Sequence, residues 1–139
     1  MSEKEKGNQP EPMIILYVSE QEASRDFYRA VLNREPVLDV PGMTEFQIGA
    51  HLLLGLMPES GAARLLGEGL PHPANGSGVP RCELYLPVED PEASYEKLLQ
   101  NCGKGISPAQ ARDWGDVVAY GADPDGHIVA FACAVADRP

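Results

Sequence analysis

One string occurs twice in this chain, and it constrains the fold more than any other feature. It is L-x-V-x-x-x-E-A-S: Leu16, Val18, Glu22, Ala23 and Ser24 line up with Leu86, Val88, Glu92, Ala93 and Ser94. Each copy straddles the end of an apolar run and the start of a helical pattern. A second match aligns His51 with His127, each just after a turn and at the start of a half's last strand. Two matches, in the same order and on the same element types, mean an internal duplication. Each half then reads strand, helix, three strands.

The local patterns support that reading. Met13 to Val18 (M-I-I-L-Y-V) is short and apolar, as a buried strand is. Ser19, with Glu22 three residues on, makes a capping box. Ala23, Phe27, Ala30 and Val31 repeat with helical spacing to about Asn33, and Pro36 forbids continuation. Strands are expected over Pro36 to Val40, Thr44 to Ile48 and His51 to Met57. Their short links imply antiparallel hairpins. Residues 58–80 are rich in glycine and proline and read as a linker or lid, with room for a short helix around Ala62 to Leu66. The pattern then restarts with a strand over Arg81 to Val88. Asp90 is placed to cap a helix and Pro91 to occupy its first position. Tyr95, Leu98, Leu99 and Cys102 form the apolar stripe, and Gly103 stands where a left-handed cap would be. Strands follow over Lys104 to Ala109, Gly115 to Gly121 and His127 to Val135. The last comes after the turn Asp123-Pro124-Asp125-Gly126. The organisation expected is a flexible tail over 1–12, modules over 13–57 and 81–135, and the linker between them, all in one domain.

Composition narrows the function classes. A chain of 139 residues, 43% hydrophobic and 23% charged, can bury a core and is not disordered throughout. Its net charge of −10 repels phosphate backbones, so nucleic acid is not an expected partner. The charge reads first as solubility and second as attraction for cationic ligands. No apolar run reaches the roughly 18 residues of a membrane span. The polar N-terminus has the pattern of neither a signal nor a transit peptide. Cys82, Cys102 and Cys133 are odd in number, widely spaced and free of any C-x-x-C, which suggests buried thiols in a reducing cytoplasm.

Two stretches carry a family resemblance. Leu16-Tyr17-Val18-Ser19 followed by Ala23-Ser24-Arg25-Asp26-Phe27-Tyr28 is similar to one strand-then-helix motif. Asp113-Trp114-Gly115 with Tyr120 and Asp123-Pro124-Asp125-Gly126-His127 is similar to a closing motif of the same family. The chain resembles the glyoxalase/bleomycin-resistance/dioxygenase (vicinal oxygen chelate) superfamily from Met13 to about Ala134. The resemblance implies an α+β fold in which two βαβββ modules form an open, barrel-like cup. It also implies a homodimer. Function does not follow from fold alone.

Metal-dependent members of that superfamily place ligands on the first and last strands of each half. Carried over, those positions are Met13, Leu54, Glu83 and Ala130. Only Glu83 can bind a hard or borderline divalent metal, and a catalytic site needs about three protein ligands. No metal site is therefore expected. Strand alternation puts Glu83 and Tyr85 on one face and Leu84 and Leu86 on the other. Glu83 in the cup would need a partner: a cationic ligand, a metal, or one of Arg81 and Arg112. His51 and His127 read as turn residues rather than ligands, and His72 as an exposed linker residue. The cysteines have no base nearby to make a nucleophile, so no catalytic residue is assigned. The expected ligand-binding set is Met13, Tyr17, Leu54, Glu83, Tyr85, Trp114 and Ala130. The expected function is binding of a small organic ligand in the cup, with no cofactor. The alternative is a lyase, isomerase or dioxygenase that uses a divalent metal on atypical ligands centred on Glu83.

Overall fold

The computed structural model describes residues 10–139. The chain divides into two compact units between Ser77 and Gly78. The first unit holds β1 (Met13–Val18), α1 (Gln21–Leu32), β2 (Leu38–Val40), β3 (Met43–Gly49) and β4 (Leu52–Pro58). Its sheet order is β1-β4-β3-β2, with β1 parallel to β4 and the other pairs antiparallel. Helix α2 (Glu59–Leu66) and a short 3-10 turn over Pro73–Gly76 follow. The second unit repeats the plan with β5 (Glu83–Pro87), α3 (Pro91–Gln100), β6 (Lys104–Ala111), β7 (Asp116–Ala122) and β8 (Ile128–Ala134). Its order is β5-β8-β7-β6, and β5 is parallel to β8. The duplication is thus a duplication of topology. Both sheets are open, and the class is α+β.

Each sheet has one face covered by its own helix. In the first unit, Gln21 of α1 donates to the Thr44 hydroxyl at 2.9 Å and to the Val40 carbonyl at 2.8 Å. Arg25 of α1 pairs with Asp39 at 3.2 Å. Asp39 is paired with Thr44, Thr44 with Leu56, and Phe46 with Leu54, so these side chains share the α1 face. Phe27, Tyr28 and Val31 are the buried apolar residues of α1, and the two rings meet edge to face. In the second unit, fully buried Leu98 of α3 packs where Gly121 leaves room, and Leu84, Leu86, Val117, Ala119, Val129 and Phe131 lie on that face. The opposite face carries Glu83, Tyr85 and Pro87, then Ala130 and Ala132, then Val118 and Tyr120.

Several local expectations need correcting. Helix α1 begins at Gln21 with Glu20 at its N-cap and no side-chain cap bond, so the box drawn on Ser19 and Glu22 sits one residue early. The buried face of α1 takes Ser24 and Tyr28 beside Phe27 and Val31, while Ala23 is exposed. The left-handed residue after α3 is Cys102 (φ 72°), not Gly103. Gly103 is needed for a different reason: a Cβ there would lie 2.4 Å from Leu98 Cγ and 2.8 Å from the Leu98 carbonyl. Cys82 and Cys102 are exposed and Cys133 is half-buried, so the thiols are not core residues. The tail expected over 1–12 lies mostly outside the described residues. Its last part is anchored, since the Pro12 carbonyl accepts from the Leu53 amide at 3.0 Å.

The α3 cap is as expected. The Asp90 carboxylate accepts from the amides of Glu92 and Ala93 at 3.1 and 3.3 Å, with Pro91 next to it. Asp90→Ala should cost about 1 kcal/mol, read from the urea midpoint, and Asp90→Ser should recover most of it.

Candidate functional site

The α3-free face of the second sheet gathers most of the chemistry. One row across it runs Tyr85, Ala130, Tyr120 and Ser107 on four successive strands. Paired residues on neighbouring strands point to the same face, so this row is a continuous surface. Val118, Ala130 and Ala132 form its buried floor, and Tyr120 packs against them.

The turn between β6 and β7 brings three further groups to this face. Its ends are tied by the Arg112 amide donating to the Asp116 carbonyl at 2.8 Å. Trp114, at the tip, donates its indole N–H to the Tyr85 hydroxyl at 2.8 Å. The Tyr85 hydroxyl in turn donates to Asp116 Oδ2 at 2.5 Å. Indole, phenol and carboxylate therefore form one directed chain, which fixes both rings. Loss of hydration, and then the bond to Asp116, hold the Tyr85 phenol above its ordinary pKa of 10.0; the Trp114 donor pulls the other way. At neutral pH the phenol keeps its proton.

Arg112 does not pair with Glu83, as one sequence reading would have it. Its guanidinium donates to the Val118 carbonyl at 2.9 Å through Nη2 and at 3.3 Å through Nε, and to the Ser107 hydroxyl at 2.9 Å. A longer bond reaches the Pro108 carbonyl. Its carbon lies 5.1 Å from the centre of the Tyr120 ring, a cation–π distance. Glu83 is exposed at the start of β5, opposite Ile128, and has no ion pair among the described residues.

Of the seven residues expected from the sequence, Glu83, Tyr85 and Ala130 share the α3-free face, and Trp114 is bonded to it. Met13 and Tyr17 lie on the α1-free face of the first sheet. A Cβ on Gly55 would meet Met13 Sδ at 2.8 Å, Ile15 Cγ1 at 3.1 Å and Met43 Sδ at 3.2 Å. Leu54 does not belong with them. It pairs with Ile14 and Phe46 on the α1 side and is fully buried. Met13 faces Leu53 in the parallel ladder and Glu83 faces Ile128, so the counterpart of Ala130 is Gly55. The His51/His127 match is thus one residue out of register. Sequence reasoning also missed Asp116 and Glu45. Glu45, opposite Gly55, is 2% exposed and lies on the α1-free face. An acidic residue opposite a glycine in the neighbouring strand is a signal that could have found it.

Two βαβββ units with mixed sheets in this order define a member of the glyoxalase/bleomycin-resistance/dioxygenase superfamily. The chain belongs to the glyoxalase-like domain family, whose model matches residues 12–135. It is similar to a glyoxalase-related enzyme from Fulvimarina pelagi, at 26% identity over 87% of this chain and 85% of that one, with a TM-score of 0.74. A hypothetical protein from S. aureus superposes with the same TM-score of 0.74 at 19% identity, over 91% of this chain and 94% of that one. A glyoxalase/bleomycin resistance protein from Albidiferax ferrireducens T118 gives 0.65 at 20% identity, over 87% and 96%. Likeness at these last identities bears on the fold alone. No curated protein matches the chain.

With the register corrected, the positions that the resemblance marks for metal ligands are Met13 and Gly55 in the first unit and Glu83 and Ala130 in the second, and Glu83 alone among them offers a carboxylate. Among the described residues, the one group of three or more potential His, Cys, Asp or Glu ligands is Asp123, Asp125 and His127, in the β7–β8 turn. Asp123 Oδ1 accepts the amides of Asp125 and His127 at 2.9 and 2.8 Å, and Oδ2 lies 2.8 Å from His127 Nδ1. These atoms hold the turn together.

Proposed function

We propose that this chain binds a small organic ligand, without a catalytic metal ion, against the α3-free face of its second sheet. The observation that carries this reading is the Trp114–Tyr85–Asp116 chain beside the Tyr85–Ala130–Tyr120 row. Trp114 and Tyr85 are 58% and 40% exposed, so both rings are available to a ligand. Rings held by hydrogen bonds lose little freedom on binding, and a few polar groups then set orientation. The donor set favours contact over metal chemistry: methionine, glycine and alanine stand at three of the four metal positions.

Trp114 is the only tryptophan, so its fluorescence reports on this face directly. A thermal-shift screen of planar aromatic compounds should give stabilising hits that also perturb Trp114 emission. Tyr85→Ala should weaken such hits at least tenfold with the fold retained, since it removes one ring and the partner of the other. Hits unaffected by Tyr85→Ala would place binding elsewhere. Elemental analysis addresses the metal-dependent alternative: stoichiometric Ni, Zn, Fe or Mn, lost on Glu83→Ala, would overturn the metal-free reading.

A further inference from the structure

The charge of the ligand can be inferred from Arg112, an inference that rests on the binding reading above. We infer that the α3-free face takes a planar organic acid, with its carboxylate docked on the Arg112 guanidinium and its ring against Tyr120 and Tyr85. Arg112 is half-buried, yet every acceptor it uses is neutral: two backbone carbonyls and one hydroxyl. No carboxylate lies within 4.0 Å of it among the described residues, although the chain carries 21 acidic side chains. Arg25, Arg29 and Arg138 all have such partners. A guanidinium kept partly from water without a counterion is costly unless something supplies the charge.

The geometry also prepares the group for a ligand. Nε and Nη2 hold the guanidinium plane to the Val118 carbonyl, and Ser107 fixes its edge. Nη1 donates to none of the described residues. Arg112 is thus a positioned fork with its outer donors unused, and a carboxylate is the natural complement. The cation lies over the Tyr120 ring, and Tyr85 stands at the far end of the row from it. Two strand spacings separate the two tyrosines, about 10 Å, which suits one fused aromatic ring system with an acidic substituent. Asp116 does not compete with the acid for Arg112: its carboxylate accepts from the Tyr85 hydroxyl and lies more than 4.0 Å from the guanidinium nitrogens.

The test compares 2-naphthoate with its uncharged analogue 2-naphthamide on the full chain, by calorimetry and by the Arg112 Nε–H resonance. The acid should bind about tenfold tighter than the amide, in line with a hydrogen bond to a charged partner. The acid alone should move the Arg112 Nε–H signal. Arg112→Gln should bring the acid down to the amide's level, and Arg112→Lys should keep part of the preference. If wild type binds both compounds equally, or Arg112→Gln keeps the preference, the anion inference is wrong while ligand binding stands. If neither compound binds at millimolar concentration and the Tyr85 and Trp114 signals stay still, both readings fall. Should Arg112→Gln not fold, the wild-type resonance decides: a shift with the acid only supports the inference, and no shift overturns it.

Discussion

Leu98→Ala should lower stability by about 3 to 4 kcal/mol, more than any other single substitution in this chain considered for stability. Leu98 is the fully buried leucine of α3, and the second sheet is shaped around it. A Cβ on Gly121 would lie 2.6 Å from Leu98 Cδ1, and one on Gly103 would lie 2.4 Å from Leu98 Cγ. Two glycines thus form the socket for one knob. Truncating the knob removes its burial and leaves a void that a tight, glycine-lined socket cannot refill, so the cost should sit in the upper range for leucine. The converse supplies the control. Gly121→Ala should destabilise wild type, because its Cβ meets the ends of the Leu98 side chain. The same change should cost less in a Leu98→Ala background, where the Lys104 carbonyl, 3.2 Å from the added Cβ, is the remaining close contact. Urea midpoints of the two single variants and the double variant measure this directly. Additive losses in the double variant would show that the socket is not what holds α3.

How much of this was legible in the sequence depends on what each residue had to satisfy. The element order was readable because the repeat displays it twice, and because Asp90-Pro91 and Asp123-Pro124-Asp125-Gly126 have local chemistry that admits few alternatives. Face assignment was readable in β5, where Glu83, Tyr85 and Pro87 alternate with Leu84 and Leu86. It was not readable in β4. The run L-L-L-G-L-M is buried on both faces from Leu53 to Leu56, so hydropathy carries no period there. A one-residue slip then costs nothing on paper and moves every side chain to the other face. That is how Leu54 stood in for Gly55.

The candidate site was half visible for a similar reason. Tyr85 and Trp114 could be named from strand alternation and from a turn, but not their bond. Asp116 lies 31 residues from Tyr85 along the chain, and only the β5-β8-β7 order brings them together. Opposite charges alone suggest Arg112 as a partner for Glu83. The bulged ladder between β6 and β7 instead offers it carbonyls, at register shifts no pattern in the sequence announces.

Asp123→Ala should cost about 3 kcal/mol, close to the Leu98 effect but from a different source. Its side chain is fully buried, and it gathers three contacts inside one turn: the amides of Asp125 and His127 on one oxygen and the His127 ring on the other. Removing the carboxylate leaves two amides to find other acceptors, and each bond to a charged acceptor is worth about 1.5 to 3 kcal/mol. The backbone has little room to adjust. Gly126 is at φ 90°, and the Asp123 amide is itself bonded to the His127 carbonyl at 2.9 Å. Asp123→Asn keeps one acceptor oxygen and should recover roughly half of the loss. His127→Ala removes the contact of a part-exposed ring with Asp123 and should cost only about 1 kcal/mol. For a chain of this size the Asp123→Ala loss corresponds to a fall in Tm of about 10 °C. This turn sets the start of β8, and β8 carries Ala130 between Tyr85 and Tyr120 in the row proposed to take the ligand. Asp123→Asn should therefore weaken ligand-induced stabilisation more than His127→Ala does. A drop in Tm of only a degree or two for Asp123→Ala would mean that the β7–β8 ladder holds this turn without its buried carboxylate.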